Sequence, residues 1–418
     1  MTEPTAPASV RAPVRGTYGR VLANREARGL LVAQVTSDLG DQAARVAIAL
    51  LVLARTGDLL YSALALAVSY LPGVLGQGVL GSLADRFPRR QVMLVCDLAR
   101  LVLIAGLAVL AARAAPLWAI FAVLLVSEFV AMPFATARAS LYPEVVPDRA
   151  DYVTAQGMSR TVHLGSQVFG AVLGGVLVSL LGAPWTLVLD ALTFLVSYLI
   201  VRTHVRERAV ADEPGTSARR MLLDVRSATQ ELTGDPVRRM LTLLGWVSAL
   251  FLVAPEAVAL AYRPGLSAAV GGVLLAAVPA GAAVGALLVP RLPVRDQLRL
   301  LLPLAALSCL PLFATSVDPP PLVAAALWFV AGVLQAYVLT VIAVVTLLTP
   351  RERRGRVVGL ASAGFNALTF VAFTVTGWLA GFSQIGPAKA VSLAGAGGLV
   401  CIAVLRAVWP TEAISRVA

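Results

Sequence analysis

Eight ionisable side chains interrupt stretches that are otherwise apolar: Asp38, Asp41, Arg45, Asp97, Arg100, Glu128, Asp190 and Glu256. Each costs about 2.5–3.5 kcal/mol to place at the centre of a bilayer, so each needs a partner or a use. Gln34, Asp38, Asp41 and Arg45 follow one another at spacings that put them on one face of a helix, facing protein or water and not lipid. Asp41 and Arg45 lie one turn apart and can neutralise each other, which leaves Asp38 as the freer proton carrier. The same pair equally suits a role in packing. Glu128 lies near the middle of its apolar run, with no partner in that run, and is the candidate for a group that binds and releases a proton. Asp190 and Glu256 are the candidates for relays, although Asp190 also suits capping and pairing within a bundle. His163 and Gln167 share a helix face, where a titrating role and a hydrogen-bonded packing role both fit. With Gln34 they read as one wall of a polar cavity, and Gln335, Asn366 and Thr369 as the other.

Several kinds of chemistry find no residues here. There is no Gly-Lys-Ser/Thr phosphate loop, no nucleophile elbow and no metal-spaced His/Cys set, so we expect neither an enzyme nor a cofactor. Cys96, Cys309 and Cys401 are an odd number, widely separated in apolar runs, which makes no disulfide framework. The net charge of +11 comes in short basic clusters between apolar runs, never as one basic face, which argues against nucleic acid and for anionic lipid.

The elements that must position these residues are membrane helices. The chain has 418 residues, 58% of them hydrophobic and 14% charged, where a soluble domain carries about 25% charge. Runs of the length that crosses about 30 Å of hydrocarbon fall near 29–53, 59–82, 91–112, 116–137, 153–180 and 184–203. They resume near 240–262, 266–289, 298–316, 321–348, 357–381 and 387–409. Of the 34 basic residues, 28 lie in the tails and alternate loops, and only Arg55, Arg113, Arg263 and Lys389 lie in the loops between. The positive-inside rule then places both termini in the cytoplasm. We expect a disordered cytoplasmic tail over 1–28 without a cleavable signal, a six-helix bundle over 29–203 and a cytoplasmic linker over 204–237. A second bundle follows over 238–409, then a tail over 410–418. The linker reads as solvated, with a short amphipathic helix. Two equal halves around an inner linker suit a substrate path between them.

The loop after the second run reads Gly81-Ser-Leu83-Ala84-Asp85-Arg86-Phe87-Pro88-Arg89-Arg90. It resembles the signature loop of the major facilitator superfamily between helices two and three, with Pro88 in place of a glycine. The resemblance implies that Asp85 latches the inner gate against the start of helix eleven, here Arg351-Glu-Arg-Arg354-Gly-Arg356. Arg86, Arg89 and Arg90 would assist the latch or simply anchor the loop to anionic lipid. Asp97 and Arg100, one turn apart, would extend this charge network. The loop of the second half, around Gly285 and Arg291, retains the glycine and the basic residues but lacks the Asp.

Helix five carries Gly157, Ser166, Gly170, Ala171, Gly174 and Gly175. This is similar to the antiporter motif of the drug-exporting branch, with Ala171 in place of its proline; close helix packing is the plainer reading of the same glycines. Pro255-Glu256 and Asp190-Ala-Leu-Thr-Phe add a likeness to macrolide-efflux and enterobactin-exporter-like proteins.

These features lead us to expect an all-α protein of twelve transmembrane helices in a 6+6 pseudo-repeat, multi-pass in the cell membrane. The function they imply is proton-coupled export of amphipathic or hydrophobic small molecules (a drug, an antibiotic or a siderophore) by alternating access. Its partners would be a small-molecule substrate, protons and the bilayer, and the family expectation is a monomer. Import of a small metabolite, or a non-transporting receptor or scaffold on the same fold, are the readings that stand beside it.

Overall fold

The computed structural model describes residues 18–75, 87–208, 218–350 and 353–410. Gly81, Asp85 and Arg86 of the expected latch lie outside the described residues, as do Arg351 and Glu352 of its expected counterpart. Within the described residues all regular structure is helical. The first bundle consists of helix one (Arg25–Thr56), two (Leu59–Val74), three (Arg89–Ala112), four (Leu117–Val145), five (Arg149–Leu181) and six (Ala183–His204). The second consists of helix seven (Pro236–Ala261), eight (Ala268–Arg291), nine (Leu301–Val317), ten (Pro321–Leu347), eleven (Arg354–Ala380) and twelve (Gly386–Ala407). Nine of these are long and apolar enough to span a membrane, and helices two and nine are shorter apolar segments. Helix one is long, but carries Asp38, Asp41 and Arg45.

Local sequence sets where the helices stop and start. Asn24 caps helix one by accepting from the Glu26 and Ala27 amides at 3.0 and 3.2 Å. Gly57 ends it in the left-handed conformation at φ 67°, which a residue without Cβ adopts freely. Asp58 caps helix two, Asp148 helix five and Asp235 helix seven, where Pro236 occupies the first turn. Helices seven and ten are broken. Helix seven is interrupted at Val253, just before Pro255, and helix ten at Gln335–Ala336.

In the first bundle helix one packs on five and six, and helix three on four and six. In the second, eight packs on ten, nine on ten and twelve, and seven on eleven and twelve. The bundles meet along two seams, helix five against eight and helix two against eleven. Large aliphatic side chains such as Val102, Leu180, Leu199 and Val400 point outward and are exposed, as a surface solvated by lipid requires.

The segment between the bundles is less solvated than the sequence suggests. A linker helix, Ala218–Gly234, lays Ala228 and Leu232 against Val357 of helix eleven. Glu231 bridges Arg238 at 3.0 Å and Arg353 at 2.6 Å. On the first bundle, Arg208 binds Glu26 at 2.5 Å, and Arg90 bonds to Glu207 at 3.4 Å. Both ends of the linker are therefore fastened, each to its own bundle.

Candidate functional site

The buried charges of the first bundle pair between helices, where the sequence suggested pairing within one. Arg100 of helix three donates to both carboxylate oxygens of Asp41 on helix one, at 3.1 and 2.6 Å. Its guanidinium lies over the Phe194 ring of helix six, 4.3 Å from the centroid. Arg45 of helix one donates to Glu128 of helix four at 3.3 Å, and the Ser69 hydroxyl of helix two donates to the same oxygen at 2.7 Å. The expected Asp41–Arg45 pair is thus replaced by two pairs between different helices of the same bundle. Side chains one turn apart can meet, but helices three and four bring groups of opposite charge closer. Glu128, which had no partner in its own helix, finds one on each of two neighbours.

Among the described residues, Asp97 and Arg100 form no ion pair with Arg89 or Arg90 of the loop. They lie two to three turns into helix three, about 12–17 Å along its axis from Arg89. Asp97 accepts from Ser197 of helix six at 2.8 Å. Of the loop arginines, Arg89 pairs with Glu144 at the end of helix four and Arg90 with Glu207 and the Arg202 carbonyl. The sequence offered no signal for Glu26, Glu144, Glu207, Arg208 or Glu231 as partners, because their separations exceed any helical period.

Asp190 is fully buried beside this cluster. Its Oδ1 accepts from the Thr193 hydroxyl at 3.2 Å, while Oδ2 has no partner among the described residues. Gly40 of helix one lies so close that a methyl there would collide with Asp190 and Thr193.

Asp38 is not free either. It accepts from Gln34 at 3.2 Å and lies 3.3 Å from His163 Nδ1 of helix five. Gln34 in turn donates to the Ser159 carbonyl at 3.0 Å and accepts from the Ser159 hydroxyl at 2.7 Å. Gln167 comes within 3.5 Å of His163 Nε2. Gln34 is 1% exposed, so it ties helices one and five together and does not wall an open cavity. Thr369 is likewise buried and spends its hydroxyl on the Phe365 carbonyl. Asn366 is half-buried against Gly73 of helix two, on the seam between bundles. Gln335 sits at the break in helix ten, its Oε1 buried without a partner among the described residues. Glu256 is half-buried just beyond the break in helix seven, and no described residue gives it a hydrogen bond or ion pair.

The glycines of helix five have separate uses. Gly170 and Gly174 let helix one approach, since a Cβ on Gly174 would lie 2.7 Å from Ala43 Cα. Gly175 faces helix eight, where a Cβ would collide with the Ala268 carbonyl and come within 3.1 Å of Gly272 Cα. Gly157 has open space around it. The Ala269 amide donates to Ser179 at 3.2 Å along the same seam. On the other seam, Gly377 of helix eleven meets Leu59, Leu60 and Ala63 of helix two. The contacts between the bundles lie toward the face opposite the arginine-rich loops, where Gly175 and Gly377 bring backbone against backbone.

Known proteins share this architecture. The sequence profile of the Major Facilitator Superfamily matches residues 30–340. YkuC of Bacillus subtilis, described as an uncharacterized MFS-type transporter, is 29% identical over 189 residues, 44% of this chain. The match spans 42% of that relative's length. The nucleoside transporter NupG superposes with a TM-score of 0.72 at 13% identity, covering 92% of this chain and 99% of that one. A bacterial homologue of the iron transporter ferroportin, in its inward-facing state, superposes with a TM-score of 0.69 at 17% identity, covering 94% and 99%. With twelve helices in two bundles and a profile match across most of both, this chain belongs to the major facilitator superfamily of membrane transporters.

Proposed function

We propose that this transporter is a proton-coupled exporter of amphipathic or hydrophobic small molecules, working by alternating access. The observation that carries this reading is the charge balance inside the first bundle. Asp41, Asp97, Glu128 and Asp190 lie within the first bundle, where Arg100 pairs with Asp41 and Arg45 with Glu128, while Asp97 and Asp190 have no ion-pair partner among the described residues. Two of four carboxylates are matched by a cation, and burial disfavours leaving the others charged. Such a surplus suits groups that take up and release protons as the bundle moves, Asp190 foremost because one of its oxygens has no partner.

The arginine-rich face is proposed as cytoplasmic. Closed seams on the opposite face, together with a continuous half-exposed stretch over 358–368 of helix eleven, suit an inward-facing state. Protons entering from outside in the alternate state would neutralise the surplus carboxylates and favour return to this one.

The test is transport in inside-out vesicles under an imposed pH gradient. Uptake of a hydrophobic fluorescent substrate driven by an acidic lumen supports export. Movement in the opposite sense would make the protein an importer, and movement indifferent to the gradient would remove the proton from the mechanism.

A further inference from the structure

The linker helix and the start of helix eleven enclose a cavity of about 470 Å³, away from the buried charges of the first bundle. That volume lies within the range of about 300–1,000 Å³ of small-molecule sites. Gln230 and Glu231 stand three and four residues on from Ser227, so the three share one face of the linker helix. Arg353, Arg356 and Val357 have the same spacing at the start of helix eleven and line the other side. Ala228 and Val357, both buried, supply the apolar part of the lining. The rest is rich in donors and short of acceptors. Each guanidinium presents a fork of N–H groups, and the Gln230 amide and Ser227 hydroxyl add to them. The carboxylate in the lining, Glu231, already accepts from Arg353 at 2.6 Å and from Arg238 at 3.0 Å, one bond on each oxygen. Asp235 lies 4.0 Å from Arg238 and caps helix seven. Arg238, Arg353 and Arg356 thus stand against Glu231 and Asp235.

Helix eleven adds to the imbalance. Its N-terminus is the positive end of the helix dipole, yet it carries Arg353, Arg354 and Arg356 and no side-chain cap. Basic residues are unfavourable there, and an anion relieves them. Attachment to anionic lipid accounts for arginines on this face. It does not account for the Ser227 hydroxyl and Gln230 amide, which a separate helix brings to the same cavity. A carboxylate ligand would engage one guanidinium and leave the other donors unanswered. A phosphate offers more oxygens and more charge, and its geometry matches the arginine fork. The volume leaves room for a small group attached to it. We propose that this cavity binds a phosphate monoester, held by Arg353, Arg356, Gln230 and Ser227, as a regulatory ligand. Bound there, it bridges the linker helix to helix eleven, which packs on helix two at one of the two seams between the bundles. A tighter hold on helix eleven restrains the rocking of the bundles whichever way the substrate moves. The phosphate can belong to an inner-leaflet lipid or to a soluble ester, and the same groups would hold either.

The probe is glycerol 3-phosphate, titrated into the purified full-length protein in an uncharged maltoside detergent, with acetate and glycerol as controls. Wild type should bind the phosphate at least tenfold more tightly than acetate, and glycerol not at all. Arg356→Gln should weaken phosphate binding at least tenfold at an unchanged unfolding temperature, Arg356→Lys by less, and Ser227→Ala several-fold. Arg356 is the position to change because Arg353 also holds Glu231. Binding should narrow the distribution of spin-label distances between the linker helix and helix eleven. No binding of the probe in detergent overturns the site, as does equal affinity for acetate or wild-type affinity in Arg356→Gln. Binding that leaves the distance distribution unaltered overturns the bridging role. Nanodiscs of phosphatidylcholine, with and without phosphatidylglycerol, separate the two sources. Probe binding that disappears when phosphatidylglycerol is present supports a lipid headgroup as the occupant, and undiminished binding supports a soluble ester.

Discussion

Arg100 holds Asp41 with two nitrogens, at 3.1 and 2.6 Å, across 59 residues of sequence and between two helices of one bundle. Neither side chain is free to serve a substrate while this pair stands. Removing one member of a buried pair leaves the other as an uncompensated charge, at a cost of about 3–5 kcal/mol. Arg100→Leu should therefore lower the unfolding temperature in detergent sharply, and adding Asp41→Asn to it should recover most of the loss. A single variant as stable as wild type would show that the pair does not hold the bundle.

Asp190→Asn should behave differently. One carboxyl oxygen has no partner, so an amide of the same shape removes little that the fold uses. The expected result is a Tm near that of wild type with gradient-driven transport reduced at least tenfold. Loss of stability together with transport would make Asp190 a packing residue.

Glu128 binds both Arg45 and Ser69, so neutralising it frees an arginine. Glu128→Gln should slow transport and flatten its dependence on pH. Wild-type rate with an unchanged pH profile would remove Glu128 from the coupling machinery.

Gly175 lets helices five and eight touch at the closed face. Gly175→Val places two methyl-bearing branches against the Ala268 backbone and should hold the seam apart. A cysteine introduced at Ser179 should then react several-fold faster with a membrane-impermeant maleimide added from outside intact cells. Unchanged labelling would mean that the seam opens elsewhere.

The linker helix offers a dependence on pH outside the membrane. The hydrogen bond from Arg353, with the second from Arg238, holds the Glu231 carboxyl below its ordinary range. Its contribution is complete above the ordinary carboxylate pKa of about 4.3 and is lost as pH falls through the lowered value. A spin-label distance between the linker helix and helix eleven should stay constant from pH 7 to 5 and lengthen below that. Glu231→Gln should lengthen it at pH 7, and high salt should weaken the contact. A distance indifferent to all three would leave the apolar contact of Ala228 and Leu232 as the whole attachment.

Much of the fold was legible because lipid leaves few choices. Hydrocarbon satisfies no backbone hydrogen bond, so lipid-facing spans must be helical and mostly apolar, and such runs can be counted without knowing their neighbours. Caps and turns are equally local: Gly57-Asp58 and Asp148 act on the next two or three residues. The ionisable residues of helix one were legible as inward-facing for the same reason, because their spacing is a property of one helix.

Partner choice was not local. Asp41 and Arg45 are four residues apart, yet each reaches a residue 59 or 83 positions away, because the packing of helices one, three and four sets which charges come closest. Gly175 reads as one more small residue in helix five until helix eight is laid against it. The sequence by itself determined that the chain crosses a membrane many times and which side chains avoid lipid, since both follow from solvation along a single helix. Only the tertiary structure decided which of those charges are matched and which stand alone, since that depends on distances between helices that no spacing along the chain encodes.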